Sequence, residues 1–406
     1  MLRTGAAALA VGAAVPLGLA DTAWGAPTLS VDASADASAS PSVGTAPSAR
    51  LTLPAPTGPY PVGMVPLHLR DTSRPDPAAG PGRFRELMAT VWYPARSADA
   101  DAYPLAPWMT DGALRAFLAD TGFALDPSLA PLTSGHQGAP VHRTGHRLPV
   151  VLFSHGSGSH RADHTVIAQE LAGHGYAVVT VDHTYDAFTE FPDGTVSTPS
   201  DTVPVYPRDH AADARFLLDC VEGLAAGRNP DVDGRALPAG LLGGLDPDTV
   251  GMFGWSKGGT ATALAMGADQ RIRAGLAIDG PMIANPAPTT DLDRPFMMMT
   301  ADFARAVNPA AQTFWTHLRG WRLDVQATGA VHSSYGDNMT LIPQAAKLLG
   351  LPDQQVRQMV GTLDPDRGIR IQQAYPLAFF DLHLRHRGHR LLDGPSRVFP
   401  EVVFHG

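Results

Sequence analysis

Cysteine is almost missing. The 406 residues hold one, Cys220, so no intramolecular disulfide can form and burial has to hold the fold together. It lies in Arg215–Leu224, a run with helical apolar spacing, which predicts a buried structural thiol. Missing too is any basic cluster interleaved with aromatics. Lys and Arg number 30 against 39 Asp and Glu, a formal charge of -9. That balance excludes nucleic acid as an expected partner and gives no charge-driven attraction to a membrane. The 16 histidines invite a metal centre, yet the chain has no HExxH and no zinc-spaced CxxC pair. His383, His386 and His389 read as a polar helix end rather than a ligand set. There is no internal repeat.

What is present suffices for a large core: 44% of the residues are hydrophobic and the mean hydropathy is -0.05. Met1-Leu2-Arg3, the apolar stretch from Gly5 to Ala20 and the small residues around Ala23-Trp24-Gly25-Ala26 predict a secretory signal peptide over 1–26, and hence a secreted protein. The apolar stretch is short and rich in Ala and Gly for a membrane span. Residues 27–56 have almost no large apolar side chain and are expected to be a disordered Ala/Ser/Pro-rich linker. A catalytic domain is expected over 57–406, with structure starting near Gly58-Pro59-Tyr60. From there Leu67–Asp71, Glu86–Tyr93, Leu148–Ser154, Ala177–Asp182, Thr249–Gly254, Ala274–Asp279, Phe296–Thr300 and Trp321–Thr328 read as strands. Helical stretches such as His164–Gly173, Arg208–Leu224 and Gly258–Met266 separate several of them. Short apolar runs alternating with helices predict an α/β fold, a mainly parallel central sheet with helices on both faces. Residues 101–146 and 336–365 are expected as segments that shape a pocket or lid.

The chemistry concentrates in Gly254-Trp255-Ser256-Lys257-Gly258, a Gly-x-Ser-x-Gly placed after an apolar strand and before an Ala-rich helical run. A serine on such a strand-to-helix bend is lifted clear of the sheet, and the flanking glycines let strand and helix approach without Cβ clashes. Ser256 is therefore the expected nucleophile. Its hydroxyl needs a base, usually a histidine oriented by a carboxylate. His332 follows the strand Trp321–Thr328 in a loop that can reach the serine, while His317 sits in a helical stretch and the later histidines lie on or beyond the last helix. Two acids fit by position, Asp279 at the end of one strand and Asp302 after the next, and spacing does not separate them. An oxyanion hole needs two backbone amides. Lys257 supplies one, with its side chain expected in solvent. Ser157, in the glycine-rich turn His155-Gly156-Ser157-Gly158, supplies the other, and His155 is expected to hold that loop rather than react.

A wider set of segments carries a family resemblance. In order they are Gly58-Pro59-Tyr60-Pro61-Val62-Gly63, Trp92-Tyr93-Pro94, Ser154-His155-Gly156-Ser157-Gly158, and Leu171-Ala172-Gly173-His174-Gly175-Tyr176 with Val181-Asp182-His183. The elbow, Arg271–Asp279, Gly329-Ala330-Val331-His332 and Tyr375–Phe380 complete the set. Over roughly residues 58–386 the chain resembles the secreted (plasma, type II) platelet-activating-factor acetylhydrolase family of serine α/β-hydrolases. The resemblance implies an α/β-hydrolase fold, Ser256 as nucleophile, His332 as base, Asp279 rather than Asp302 as acid, and Ser157 and Lys257 as oxyanion donors. It implies a small-molecule ester or lipid substrate, a short-chain or oxidised sn-2 phospholipid, with transient contact with a lipid surface and no metal or organic cofactor. Trp255 and Lys257 stand where animal members have His and Phe, and Pro281 replaces an aromatic, changes that touch the acyl pocket. The Gly-Trp-Ser elbow is also similar to that of bacterial cutinases and polyester hydrolases, without their paired cysteines.

Overall fold

The computed structural model describes residues 50–143, 145–388 and 390–406. The expected signal peptide and most of the expected linker lie outside them. Residues 50–56, expected to be part of that linker, are instead packed against the body. Leu51 is buried and its amide donates to the Leu129 carbonyl at 2.8 Å. The Thr52 amide and hydroxyl both donate to Gln344. Leu51 and the half-buried Leu53, together with a few polar contacts, anchor this short segment to the core, which composition averaged over 30 residues does not reveal.

Strand and helix alternate as expected from the apolar runs. A long hairpin, β1 (Val62–Pro75) and β2 (Phe84–Pro94), comes first, then β3 (Leu105–Pro107), α1 (Asp111–Thr121) and β4 (Leu132–Gln137). The central part is β5 (Leu148–Ser154), α2 (Thr165–Gly173), β6 (Ala177–Asp182), the short hairpin β7 (Thr189–Glu190) and β8 (Val196–Ser197), and α3 (Pro207–Ala225). It continues with β9 (Leu245–Trp255), α4 (Lys257–Ala268), β10 (Ile272–Ile278), β11 (Phe296–Thr300), α5 (Pro309–His317) and β12 (Arg322–Ala327). Helices α6 (Asn338–Leu349), α7 (Asp353–Val360) and α8 (Pro365–Leu384) precede a last strand, β13 (Val402–His405).

Among the described residues one 11-stranded sheet runs in the order β13-β12-β11-β10-β9-β5-β6-β2-β1-β4-β3. From β6 to β12 every pairing is parallel, while β2 and β13 close the parallel block antiparallel on either side. Both faces are covered, so alternate residues of a strand enter different cores. Val151 and Phe153 join the core under α2 and α8, whereas Val150 and Leu152 join the one under α3, α4 and α5. Each fully buried Val, Leu or Phe contributes about 1.5–3 kcal/mol of burial free energy. Gly251 leaves room for the Phe380 ring, which a Cβ at that position would meet at 2.6 Å. Cys220 is buried on α3, and burial pushes its thiol up to about 12.

The segments expected to shape a pocket carry regular structure. Within 101–146, β3 and β4 extend the sheet edge and α1 packs over β7 and β8. Within 336–365, α6 and α7 pack on the short turn that carries His332.

Candidate active site

The parallel strands all point their C-terminal ends to one side, and the chemistry gathers there. Ser256 occupies the bend between β9 and α4 with φ 55° and ψ -121°, a left-side conformation that an L-residue holds only when its surroundings enforce it. The enforcement is visible. A Cβ on Gly254 would collide with the Gly258 carbonyl, and a Cβ on Gly258 with that of Ser154. The Ser256 amide is fixed by the Ile278 carbonyl of β10 at 2.9 Å. Its side chain opens at the surface only slightly, at 5% exposure.

Asp279 directly follows β10, also at positive φ (42°), and is fully buried. Its carboxylate accepts from the amides of Ala301, Asp302 and Phe303 at 2.7, 3.2 and 2.9 Å. The fourth donor is His332, whose Nδ1 lies 2.6 Å from Oδ2. A carboxylate surrounded by donors accepts, so Nδ1 carries a proton and Nε2 is the acceptor nitrogen of the neutral tautomer. The imidazole is further held by Trp255, whose ring stacks on it at 4.7 Å and whose Nε1 donates to the His332 carbonyl at 3.1 Å. Phe303 meets the same ring edge-on at 5.2 Å. Ser256 is thus next in sequence to the residue that cradles the imidazole. Asp302, the other acid singled out above, accepts from the His332 backbone amide at 3.0 Å and not from the ring.

The glycine-rich turn lies against the elbow. A Cβ on Gly156 would come within 2.5 Å of the Trp255 ring and 3.1 Å of the Ser256 Cβ, so glycine is required for this approach. His155 is buried and donates from Nδ1 to the Gly156 carbonyl at 2.6 Å, while its Nε2 accepts from the His183 amide at 3.0 Å. It holds the loop, as expected. Lys257 opens α4, whose leading amides have no partner within the helix. Its side chain departs from expectation: Nζ is an ion-pair partner of Asp186 at 2.9 Å and also donates to the Val205 carbonyl at 2.8 Å. Asp186 and His210 belong to the same neighbourhood and carry no motif. Only the nearby Val181-Asp182-His183 marked that stretch. No group of three or more His, Cys, Asp or Glu is placed to hold a metal among the described residues.

The chain is similar to several known proteins. A family described as platelet-activating factor acetylhydrolase, isoform II, matches residues 45–191, a stretch that includes the glycine-rich turn and stops before the elbow. A probable 1-alkyl-2-acetylglycerophosphocholine esterase of Arthroderma benhamiae is 27% identical over 87% of this chain and 93% of its own. The platelet-activating factor acetylhydrolase of Cavia porcellus is 22% identical over 82% of this chain and 78% of its own. Among solved structures, a ferulic acid esterase from Streptomyces cinnamoneus superposes with a TM-score of 0.72. It shares 31% identity over 88% of this chain and all (100%) of that one.

Proposed function

We propose, for a chain that belongs to the platelet-activating factor acetylhydrolase isoform II family of α/β-hydrolases and is a carboxylic ester hydrolase, that hydrolysis proceeds through an acyl-enzyme on Ser256. The reading rests on one observation: the His332 Nδ1 contact with buried Asp279, which turns Nε2 into an acceptor beside the elbow. Ser256 Oγ attacks the ester carbonyl and His332 Nε2 takes its proton. The amides of Ser157 and Lys257 receive the tetrahedral oxyanion. His332 returns the proton to the leaving alcohol, and water then repeats the sequence to free the acid. Asp279 keeps the ring in the required tautomer and stabilises its charged form. The protein works after export, directed by residues 1–26.

For the substrate, the relatives named for 1-alkyl-2-acetylglycerophosphocholine and platelet-activating factor favour a short-chain or oxidised sn-2 phospholipid. A second reading has its own support. The ferulic acid esterase is the more similar in sequence, at 31% against 27% and 22%, so a hydroxycinnamoyl ester is the competing substrate. The test is a panel of 1-alkyl-2-acetylglycerophosphocholine, methyl ferulate and an insoluble polyester on wild type and Ser256→Ala. The expected result is fastest turnover of the acetyl phospholipid and loss of all activity, with loss of fluorophosphonate labelling, in the variant. Preference for ferulate would transfer the assignment to the second reading, and preference for the polyester to a cutinase-like lipase. Turnover surviving in Ser256→Ala would end the serine mechanism.

A further inference from the structure

An oxyanion hole built from Ser157 and Lys257 joins two segments that are far apart in sequence and have no covalent tie. Donors of this kind act only if their spacing is held to a fraction of an ångström while charge develops. The geometry points to Asp186 as the positioning residue that locks the two halves of this hole together. The inference rests on the serine-esterase reading above and adds a residue to it.

Asp186 lies in the loop after β6 and is nearly buried, at 6% exposure. Its two carboxylate oxygens divide the work. Oδ1 accepts from the Gly158 amide at 3.1 Å and the Ser157 hydroxyl at 3.4 Å, gripping the glycine-rich turn on both sides of the Ser157 carbonyl. Oδ2 accepts from Lys257 Nζ at 2.9 Å and His210 Nε2 at 2.8 Å, gripping the first residue of α4. A carboxylate near a developing oxyanion would by itself oppose the reaction. The Lys257 ammonium offsets that charge, which gives the lysine side chain a reason to turn inward.

The clamp is itself anchored. His210 donates from Nε2, so its Nδ1 presents a lone pair toward the Ser154 hydroxyl 3.3 Å away. Ser154 is the last residue of β5 and leads into the glycine-rich turn. Its hydroxyl lies 2.7 Å from His183 Nε2, and His183 Nδ1 donates to Asp213 at 2.8 Å. Arg85 holds Asp213 through two bonds of 2.7 Å, and the His183 and His210 rings stack at 3.5 Å. Ser154, His183 and Asp213 have the composition of a second serine-histidine-acid set. All three are fully buried, so that hydroxyl meets no substrate and the set supports the loop instead. The one Ser154 proton goes to the nearer acceptor, His183 Nε2, and the buried chain from Arg85 through Asp213 and His183 to Ser154 rigidifies the turn that follows.

Asp186→Asn tests the assignment, because the amide keeps the size but places an NH2 against donors on one side or the other. Turnover of p-nitrophenyl acetate is expected to fall about 30- to 300-fold in kcat with KM within about threefold, short of or similar to the loss of a whole oxyanion donor. The Ki of a trifluoromethyl ketone should rise by the same factor. Ser256 Oγ adds to the carbonyl carbon of that inhibitor and gives its proton to His332 Nε2, while the carbonyl π electrons become the oxyanion held in the hole. Lys257→Met, which keeps the backbone amide and cuts the Oδ2 grip, should shift kcat and Ki in the same direction with folding intact by circular dichroism. If Asp186→Asn does not fold, Lys257→Met decides alone. Folded variants within twofold of wild type in kcat and Ki, or a rise in KM alone, would overturn the clamp. Ser256→Ala measured alongside separates the two failures: retained turnover there defeats the serine reading, whereas a dead Ser256→Ala beside unimpaired clamp variants defeats only the role of Asp186.

Discussion

Asp279 collects four hydrogen-bond donors, three of them backbone amides of the turn after β11 and one the His332 ring. An asparagine there has a single acceptor oxygen, and its NH2 would oppose one of those donors, most damagingly Nδ1. The ring then loses both its tautomer and its orientation. Asp279→Asn is expected to lower kcat about 10³- to 10⁴-fold while leaving ester binding little changed. Asp302 takes only the His332 amide, a bond an asparagine oxygen also accepts. A single such bond is worth about 0.5–1.5 kcal/mol, so Asp302→Asn should stay within roughly tenfold of wild type. Steady-state kinetics on one chromogenic ester compares the two, and the reverse ranking would move the acid to Asp302. From sequence the two aspartates were equivalent by position, and only the family resemblance ranked them. Spacing cannot report which carboxylate the turn after β11 folds around. The same limit hid Asp186 and the inward path of Lys257, since an ion pair bridging 71 residues leaves no local signature.

The elbow is a contact between elements, where close approach of β5, β9 and α4 fixes the composition. Gly258 lies where a Cβ would collide with the Ser154 carbonyl, and backbone there cannot move aside without opening the sheet. Gly223 lies inside α3, where the nearest atom to an added Cβ is the Arg228 carbonyl at 4.0 Å. One substitution should therefore have opposite signs at the two sites. Gly223→Ala is expected to stabilise by about 0.5–1 kcal/mol, the helix-propensity difference. Gly258→Ala should destabilise by more than about 2 kcal/mol and remove esterase activity, because the strain has no outlet. Urea midpoints of both variants check this, and equal signs would mean the elbow is looser than its geometry shows. Elements of this kind were legible in the sequence: Phe296–Thr300 falls on β11 residue for residue, and the central helices are found within a residue or two. The unread elements are those without a strong apolar run. β13 at the sheet edge has two half-buried residues and one exposed. α6 carries Pro343 in its interior, and α7 buries only Met359 and Val360, so neither announces a helix. Leu51 packs through one side chain that no periodicity marks.

At the scale of the molecule the histidines form a pattern with a thermodynamic consequence. His155, His160, His164, His183 and His210 are all nearly or fully buried around the glycine-rich turn and the strand ends beside it. Burial holds His160 and His183 down at about 4, and burial together with its histidine neighbours and Lys257 holds His210 well below the usual imidazole range. In the native protein these three rings stay neutral as pH drops below 6.5, whereas in the unfolded chain each takes up a proton near 6.5. Unfolding therefore absorbs protons in the window from about 6.5 to about 4, and acid favours the unfolded state there. Asp337 works in the opposite sense. Burial pushes its carboxyl up to about 8, against the N–H donors of Trp108, Thr165 and Val166, so it releases a proton on unfolding over the same window. Half-buried His383, which burial also holds at about 4, adds a fourth uptake. Against the one release, the net uptake is about two to three protons, and stability should fall by roughly 3–4 kcal/mol per pH unit as pH drops from 6.5 toward 4. Urea unfolding measured at half-unit steps reads this slope directly. A flat or rising stability across that window would mean that the buried histidines are charged in the native state, and the neutral network beneath the glycine-rich turn would have to be redrawn with imidazolium donors.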